Sequence, residues 1–156
     1  MASRKREAGF DPLGRQLNVA ARATRSLLDS VLAEAGTTFS SWTVLAALSA
    51  RGPVIQKDLA RSLDMIGPSM VERIDQLEES GLVVRSGIPG DRRASLVSLT
   101  ADGRALFARL DRVMRATEAA LTSELDPRDV ETARLVLAHV GERARALRAE
   151  RPGTPR

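Results

Sequence analysis

Between Ala50 and Thr100 the chain has almost no topological freedom. That stretch reads ARGPVIQKDLARSLDMIGPSMVERIDQLEESGLVVRSGIPGDRRASLVSLT. Two amphipathic segments are separated by Asp64, Met65, Ile66 and Gly67, a spacing too short for anything but a compact helix-turn-helix. Leu82-Val83-Val84-Arg85 then reads as a strand by its β-branched content, and Ser95 to Leu99 as a second strand with alternating polarity. Ser86 to Ala94 must reverse the chain between them. Two glycines and a proline make that turn, with Arg92 and Arg93 at or near its tip. Helix, turn, helix and basic hairpin is the order of a winged helix-turn-helix, a module that reads DNA.

The first helix of the pair, Lys57 to Leu63, buries Leu59, Ala60 and Leu63. The second begins with Gly67 as a candidate N-cap and Pro68 at the first helical position. Met70, Ile74 and Leu77 make its buried stripe, edged by Val71 and Glu78, and Gly81 follows as a left-handed C-cap. Ser69, Glu72, Arg73 and Gln76 are left facing away from the core, with side chains of the kind that reach base edges and phosphates. Pro68, Lys57 at the start of the shorter helix, and Asp91, Arg92 and Arg93 in the turn complete the candidate DNA-contacting set. An Arg beside a major-groove helix is placed to enter the adjoining minor groove.

Long helices flank this module. Asp11-Pro12 is a strong helix start, and helical periodicity continues to Gly36, a C-cap; Phe39 and Val44 stand at staple positions around a Ser40 cap. Trp42, Leu45 and Leu48 face inward. Val54-Ile55 is a minimal third strand, and Gln56 a candidate cap for the helix after it. Thr100 caps a helix to about Glu124, and Asp126-Pro127 starts another with Val130, Ala133, Leu137, Val140, Ala144 and Leu147 on one face. Residues 39–100 are thus the reader. Residues 11–36 and 101–150 supply helices with more apolar surface than the reader needs, suited to a two-fold interface. Residues 1–10 and 151–156 are flexible tails by composition. The expected class is mainly α, with about six helices and a small antiparallel wing.

Composition narrows the function. Aromatic residues are 3% of the chain against 43% hydrophobic, so the core is built from aliphatic side chains. A net charge of +4 carried almost wholly by Arg favours phosphate and base contact, since the guanidinium fork makes two hydrogen bonds at once. With no Cys there is neither a disulfide nor a thiol switch. No apolar run reaches the ~20 residues of a membrane span, and no signal-peptide core follows the basic start, so a cytoplasmic protein without cofactors is expected. The single His139 has no ligand-forming or catalytic neighbours, so no metal site and no enzyme are expected. Glu78-Glu79 reads as a solvated helix-end pair. Trp42 is core or the wall of a ligand cavity, with Arg15, Arg22 and Arg25 as candidate partners for an anionic aromatic molecule.

LEESGLVVR…GDRRASLVSLTADG resembles the MarR/SlyA family of bacterial transcriptional regulators. Members carry an L-E-x-x-G-L-V-x-R run, a D-[KR]-R wing and an L-T-x-x-G junction at this spacing. The resemblance implies a homodimer whose first and last helices interlace. The helix from Pro68 would be the recognition helix, with Arg93 in the minor groove and Asp91 orienting it. The chain departs from the pattern at Val71-Glu72, where members often have Arg or Thr-Arg. The function implied is a regulator, chiefly a repressor, on a pseudo-palindromic operator, released by a small aromatic or anionic ligand. The alternatives are a DNA-binding regulator or architectural protein with no effector, and an enzyme or adaptor on the same scaffold.

Adjacent side chains in a strand-like tip point to opposite sides, so only one of Arg92 and Arg93 can follow the groove. Arg93→Ala is expected to weaken DNA binding by ~2 kcal/mol and Arg92→Ala by about half of that. Asp91→Ala should weaken binding although it removes a negative charge. Binding isotherms at two salt concentrations check this; equal losses at the two arginines, or tighter binding by Asp91→Ala, would make the wing a general basic patch.

Overall fold

The computed structural model describes residues 12–63, 65–88 and 91–150, with the side chains of 88 and 91–94 outside that description. The elements follow one another as α1 (Leu13–Glu34), α2 (Phe39–Arg51), β1 (Val54–Ile55), α3 (Gln56–Ser62), α4 (Gly67–Glu79), β2 (Val83–Ile88), β3 (Asp91–Leu99), α5 (Ala101–Thr122) and α6 (Pro127–Ala149). Six helices and a small antiparallel sheet are thus present, as the sequence implies. The expected tails and Asp11 lie outside the described residues, and Pro12, expected at the first helical position, stands at the N-cap position of α1, because its extended ψ of 137° keeps it out of the helix.

The sheet order is β1-β3-β2. Val54 and Ile55 pair with Val97 and Leu96, and Val83 to Gly87 pair with Leu99 to Ser95. The hairpin is longer than its β-branched residues suggest: β2 extends to Ile88 and β3 starts at Asp91, with a register shift at Gly87/Ile88. Backbone pairing with a neighbouring strand carries Ser86 and Gly87 into the sheet despite their low strand propensity.

One core holds the reader together. Val44, Leu45 and Leu48 of α2, Leu59 and Ala60 of α3, and Met70, Ile74 and Leu77 of α4 are buried. Val83 and Val97 close it from the sheet, Leu32 from α1 and Leu110 from α5. This compact unit extends through Arg115; a second begins at Ala116, inside α5, and contains α6. The first unit therefore includes α1 and most of α5 together with residues 39–100.

Helix ends show where local chemistry decides. Gly36 and Gly81 have positive φ, at 75° and 70°. Each completes a Schellman cap. Thr37 N–H donates to the Leu32 carbonyl and Gly36 N–H to that of Ala33, while Leu82 and Gly81 donate to Leu77 and Glu78. Three further caps differ from the sequence reading. Thr38, not Ser40, caps α2, its Oγ1 accepting from the Ser41 N–H at 3.1 Å. Phe39 is consequently the first residue of the helix and packs on Trp42 instead of stapling to Val44. Ile66 takes the extended N-cap position of α4, so Gly67 is helical and Pro68 follows it, still among the four positions that lack an N–H partner. Gln56 is the first residue of α3 and caps nothing.

The turn after α4 meets the start of α5 at close quarters. Thr100 N–H donates to the Leu82 carbonyl at 3.1 Å, and its hydroxyl donates to the Gly81 carbonyl at 2.7 Å. The same hydroxyl accepts from the Gly103 N–H at 3.0 Å, as a helix cap should. A Cβ on Gly103 would overlap the Leu82 carbonyl oxygen and stand 2.9 Å from its carbon. That neighbour is backbone and cannot rotate away. Gly103→Ala is therefore expected to destabilise the protein by about 3 kcal/mol, the upper range for overpacking. Denaturant unfolding measures it; a change within experimental error would show that the junction has slack.

Candidate nucleic-acid interface

α4 offers one polar face to solvent. Pro68, Ser69, Glu72 and Gln76 are exposed, on the side away from Met70, Ile74 and Leu77. Lys57 is exposed in the first turn of α3. A cleft of 720 Å³ runs between these helices, with Lys57, Arg61, Gly67 and Val71 on its walls. Val71 is 45% exposed. The sequence placed it at the edge of the core stripe; it presents methyl groups beside the polar face instead, a surface suited to a thymine methyl.

Arg73 sits differently from its neighbours. It is half-buried, its Nη1 donates to Gln76 Oε1 at 2.7 Å, and its Nε is buried without a protein partner. At three residues from Met70 and four from Leu77 it lies on the flank of the buried stripe, so it does not point away from the core as the sequence reading had it. Its effect on the outer face is to hold the Gln76 amide. Asp91, Arg92 and Arg93 belong to β3 by backbone, and their side chains lie outside the described residues.

A group missed in the sequence lies on the other flank. Arg85 in β2 contacts Asp75 Oδ1 and Glu78 Oε2, each at 2.5 Å. Its Nε donates to Gln56 Oε1 at 3.1 Å, and its backbone N–H donates to Glu78 Oε1 at 2.9 Å. The signal was present: acids three residues apart on one helix face, and an Arg on the next strand. Glu78 is therefore a paired group and not the solvated one expected; Glu79 is exposed.

Where α1 meets α2, Arg25 of α1 lies over the Phe39 ring, 4.2 Å from its centroid, and pairs with Asp29 at 2.8 Å. Phe39 and Trp42 are 5.4 Å apart, and the Trp42 indole N–H is buried without a protein acceptor. Arg22 donates to Asn18 at 3.2 Å, and Arg15 is exposed.

Comparison with known proteins agrees with this geometry. The model of the MarR family matches residues 35–94, from just after α1 into the wing. The transcriptional repressor CouR, solved on a 23-mer DNA duplex, is 33% identical, with 83% of this chain and 92% of that one covered at a TM-score of 0.76. A mutant MarR from E. coli complexed with operator DNA is 25% identical over 83% and 93% of the two chains, with a TM-score of 0.76. A MarR-family transcriptional regulator from Rhodococcus sp. RHA1 is 25% identical over 82% and 91%, with the same TM-score. The chain belongs to the MarR family of winged helix-turn-helix, DNA-binding transcriptional regulators.

The Glu78 environment has a consequence for stability. The backbone N–H of Arg85, then its guanidinium, hold the carboxyl below the ordinary range against a smaller opposing effect of burial. A carboxylate whose folded pKa is depressed stabilises the protein above its unfolded value, about 4.3. That contribution is lost as pH falls through the lower folded value. Glu78→Gln should thus reduce stability at pH 7 and flatten the loss between neutral and acid pH. Unfolding at a series of pH values checks this; an unchanged acid slope would show that the bonds from Arg85 add nothing to the folded state.

Proposed function

We propose that the protein represses transcription as a two-fold homodimer on a pseudo-palindromic operator. α4 would enter the major groove of each half-site, with Ser69, Glu72 and Gln76 at base edges, and Lys57 and the N-terminal end of α4 at Pro68 against phosphates. Arg73 would act by holding Gln76. The wing, with Asp91, Arg92 and Arg93, would follow the neighbouring minor groove. The observation that carries this reading is the exposed polar face of α4 set beside the β2–β3 hairpin. It is supported by the 33% identity to a repressor seen on duplex DNA.

The dimer rests on surface that the chain leaves uncovered. None of the 23 residues of α6 is buried, and Leu135, Leu137 and Leu147 are exposed. Only Leu32 is buried in α1, where Leu13, Val19 and Leu27 are exposed. Apolar surface of this extent on helices from both ends calls for a partner, and a second copy supplies it with two-fold symmetry. In this division residues 11–36 and 101–150 dimerise and residues 39–100 read DNA. No helix among the described residues is long and apolar enough to cross a membrane, and action on DNA in the cytoplasm belongs to the same proposal.

A small aromatic or anionic effector is the proposed release signal. Trp42 offers a buried, unanswered N–H, and α1 brings Arg25 against the adjoining Phe39. Arg15 and Arg22 on the same helix would add positive charge for a carboxylate. Binding of such a ligand stabilises the folded protein by mass action.

Selection of bound DNA from a random pool, together with sedimentation, tests the reading. The expected result is a near-palindrome with half-site centres ~34 Å apart and a dimer at micromolar concentration that Leu137→Asp weakens. A monomer, or a single asymmetric half-site, would contradict it. In thermal-shift measurements small aromatic acids should raise the melting temperature, and Trp42→Ala should remove the shift.

A further inference from the structure

Arg85 ties the reader's parts together through one side chain. It is 23% exposed in the middle of β2. Three of its partners, the Val71 carbonyl at 3.5 Å, Asp75 and Glu78, lie at i, i+4 and i+7 along one flank of α4. Its Nε reaches Gln56 at the start of α3, and the same Gln56 oxygen accepts from Ser95 Oγ of β3 at 3.4 Å. Among the described residues β1 pairs with β3 at Val97 and Leu96, so beyond Leu96 the described part of the hairpin is two strands, with a register shift at Gly87/Ile88. A two-stranded hairpin is marginal by itself.

We propose that Arg85 is a positioning residue for operator recognition: it fixes the wing at one angle to α4, so that helix and wing meet DNA as one body. The inference rests on the DNA-reading role proposed above. The guanidinium is suited to the task because its planar fork bonds two carboxylates in set directions, whereas an ammonium is a point charge. Its charge also offsets Asp75 and Glu78, which would otherwise repel the phosphates beside α4.

A double-mutant cycle on the selected operator separates positioning from mere stabilisation. One arm is Arg85→Lys; the other replaces both Arg92 and Arg93 by Ala. Melting temperature and dimer state are measured for every variant, and binding is read well below the melting transition. With positioning, Arg85→Lys should weaken operator binding on the order of tenfold while leaving random-sequence DNA within about twofold, because non-specific binding needs charge and not geometry. Loss of the wing arginines should then cost several-fold less in the Arg85→Lys background than in the unmodified protein, since residues acting through one geometry are not additive. Asp75→Asn with Glu78→Gln, which leaves Arg85 in place without its acids, should reproduce the same coupling. Additive losses, or equal losses on operator and random DNA, would overturn the proposal while leaving the DNA-reading role standing. So would a wing substitution without effect on binding. Failure of the unmodified protein to bind any DNA would overturn both.

Discussion

The close approach of Gly103 to the Leu82 carbonyl fixes how the start of α5 packs against the turn that follows α4. Gly81 turns the chain at the end of α4, Leu82 leads into β2, and Thr100 leaves β3 to cap α5. These residues share three hydrogen bonds within one turn of backbone. A side chain at 103 would push α5 away from the reader and take Leu110 and Met114 out of the core they join. The absence of a single carbon atom thus lets the first part of α5 pack into the same core as the reader.

Around that fixed point the polar groups divide by role. The buried stripe of α4 sets which way the helix faces, and its two flanks hold the side chains that orient others. Arg73 holds Gln76 on one flank, and Arg85 collects Asp75, Glu78 and Gln56 on the other. The central face, with Ser69 and Glu72, is left open. An Arg in a half-buried position with several acceptors loses little entropy per bond because its donors are planar and fixed. A Lys in the same place would have to choose among the acceptors.

Much of the fold could be read from residues because its causes are local. The Met70–Ile74–Leu77 stripe, the glycine caps at 36 and 81, the Thr100 cap and the Asp126-Pro127 start each depend on a few adjacent positions. What the sequence did not disclose depends on distant partners. The hairpin outgrew its β-branched residues because pairing is made across strands. Thr38 rather than Ser40 caps α2 because Thr38 is the last extended residue before the helix, and its hydroxyl therefore meets the Ser41 N–H. For the site, the exposure of Ser69, Glu72 and Gln76 followed from periodicity, and the same periodicity puts Arg73, three residues from Met70 and four from Leu77, on the flank of the stripe and not on the outward face expected of it. Glu78 read as solvated because its partner is seven residues away, across a turn whose geometry the residues alone do not fix. The orienting role of Asp91 and the groove contact of Arg93 rest on the family motif alone.

In the role proposed for α4, Glu72, exposed at the centre of its polar face, would change the competition between an operator and the rest of the chromosome. A carboxylate facing DNA meets phosphate repulsion at almost every register and gains a hydrogen bond only where a cytosine amino group faces it. It therefore lowers affinity for bulk DNA more than for a matching site. Occupancy in a cell depends on that ratio multiplied by the number of competing sites, not on the operator's affinity taken alone. An Arg at this place would hold DNA of every sequence more tightly. With Glu in the proposed reading face the chain would give up some of that grip, and in return less of it would be held away from its target by the surrounding genome.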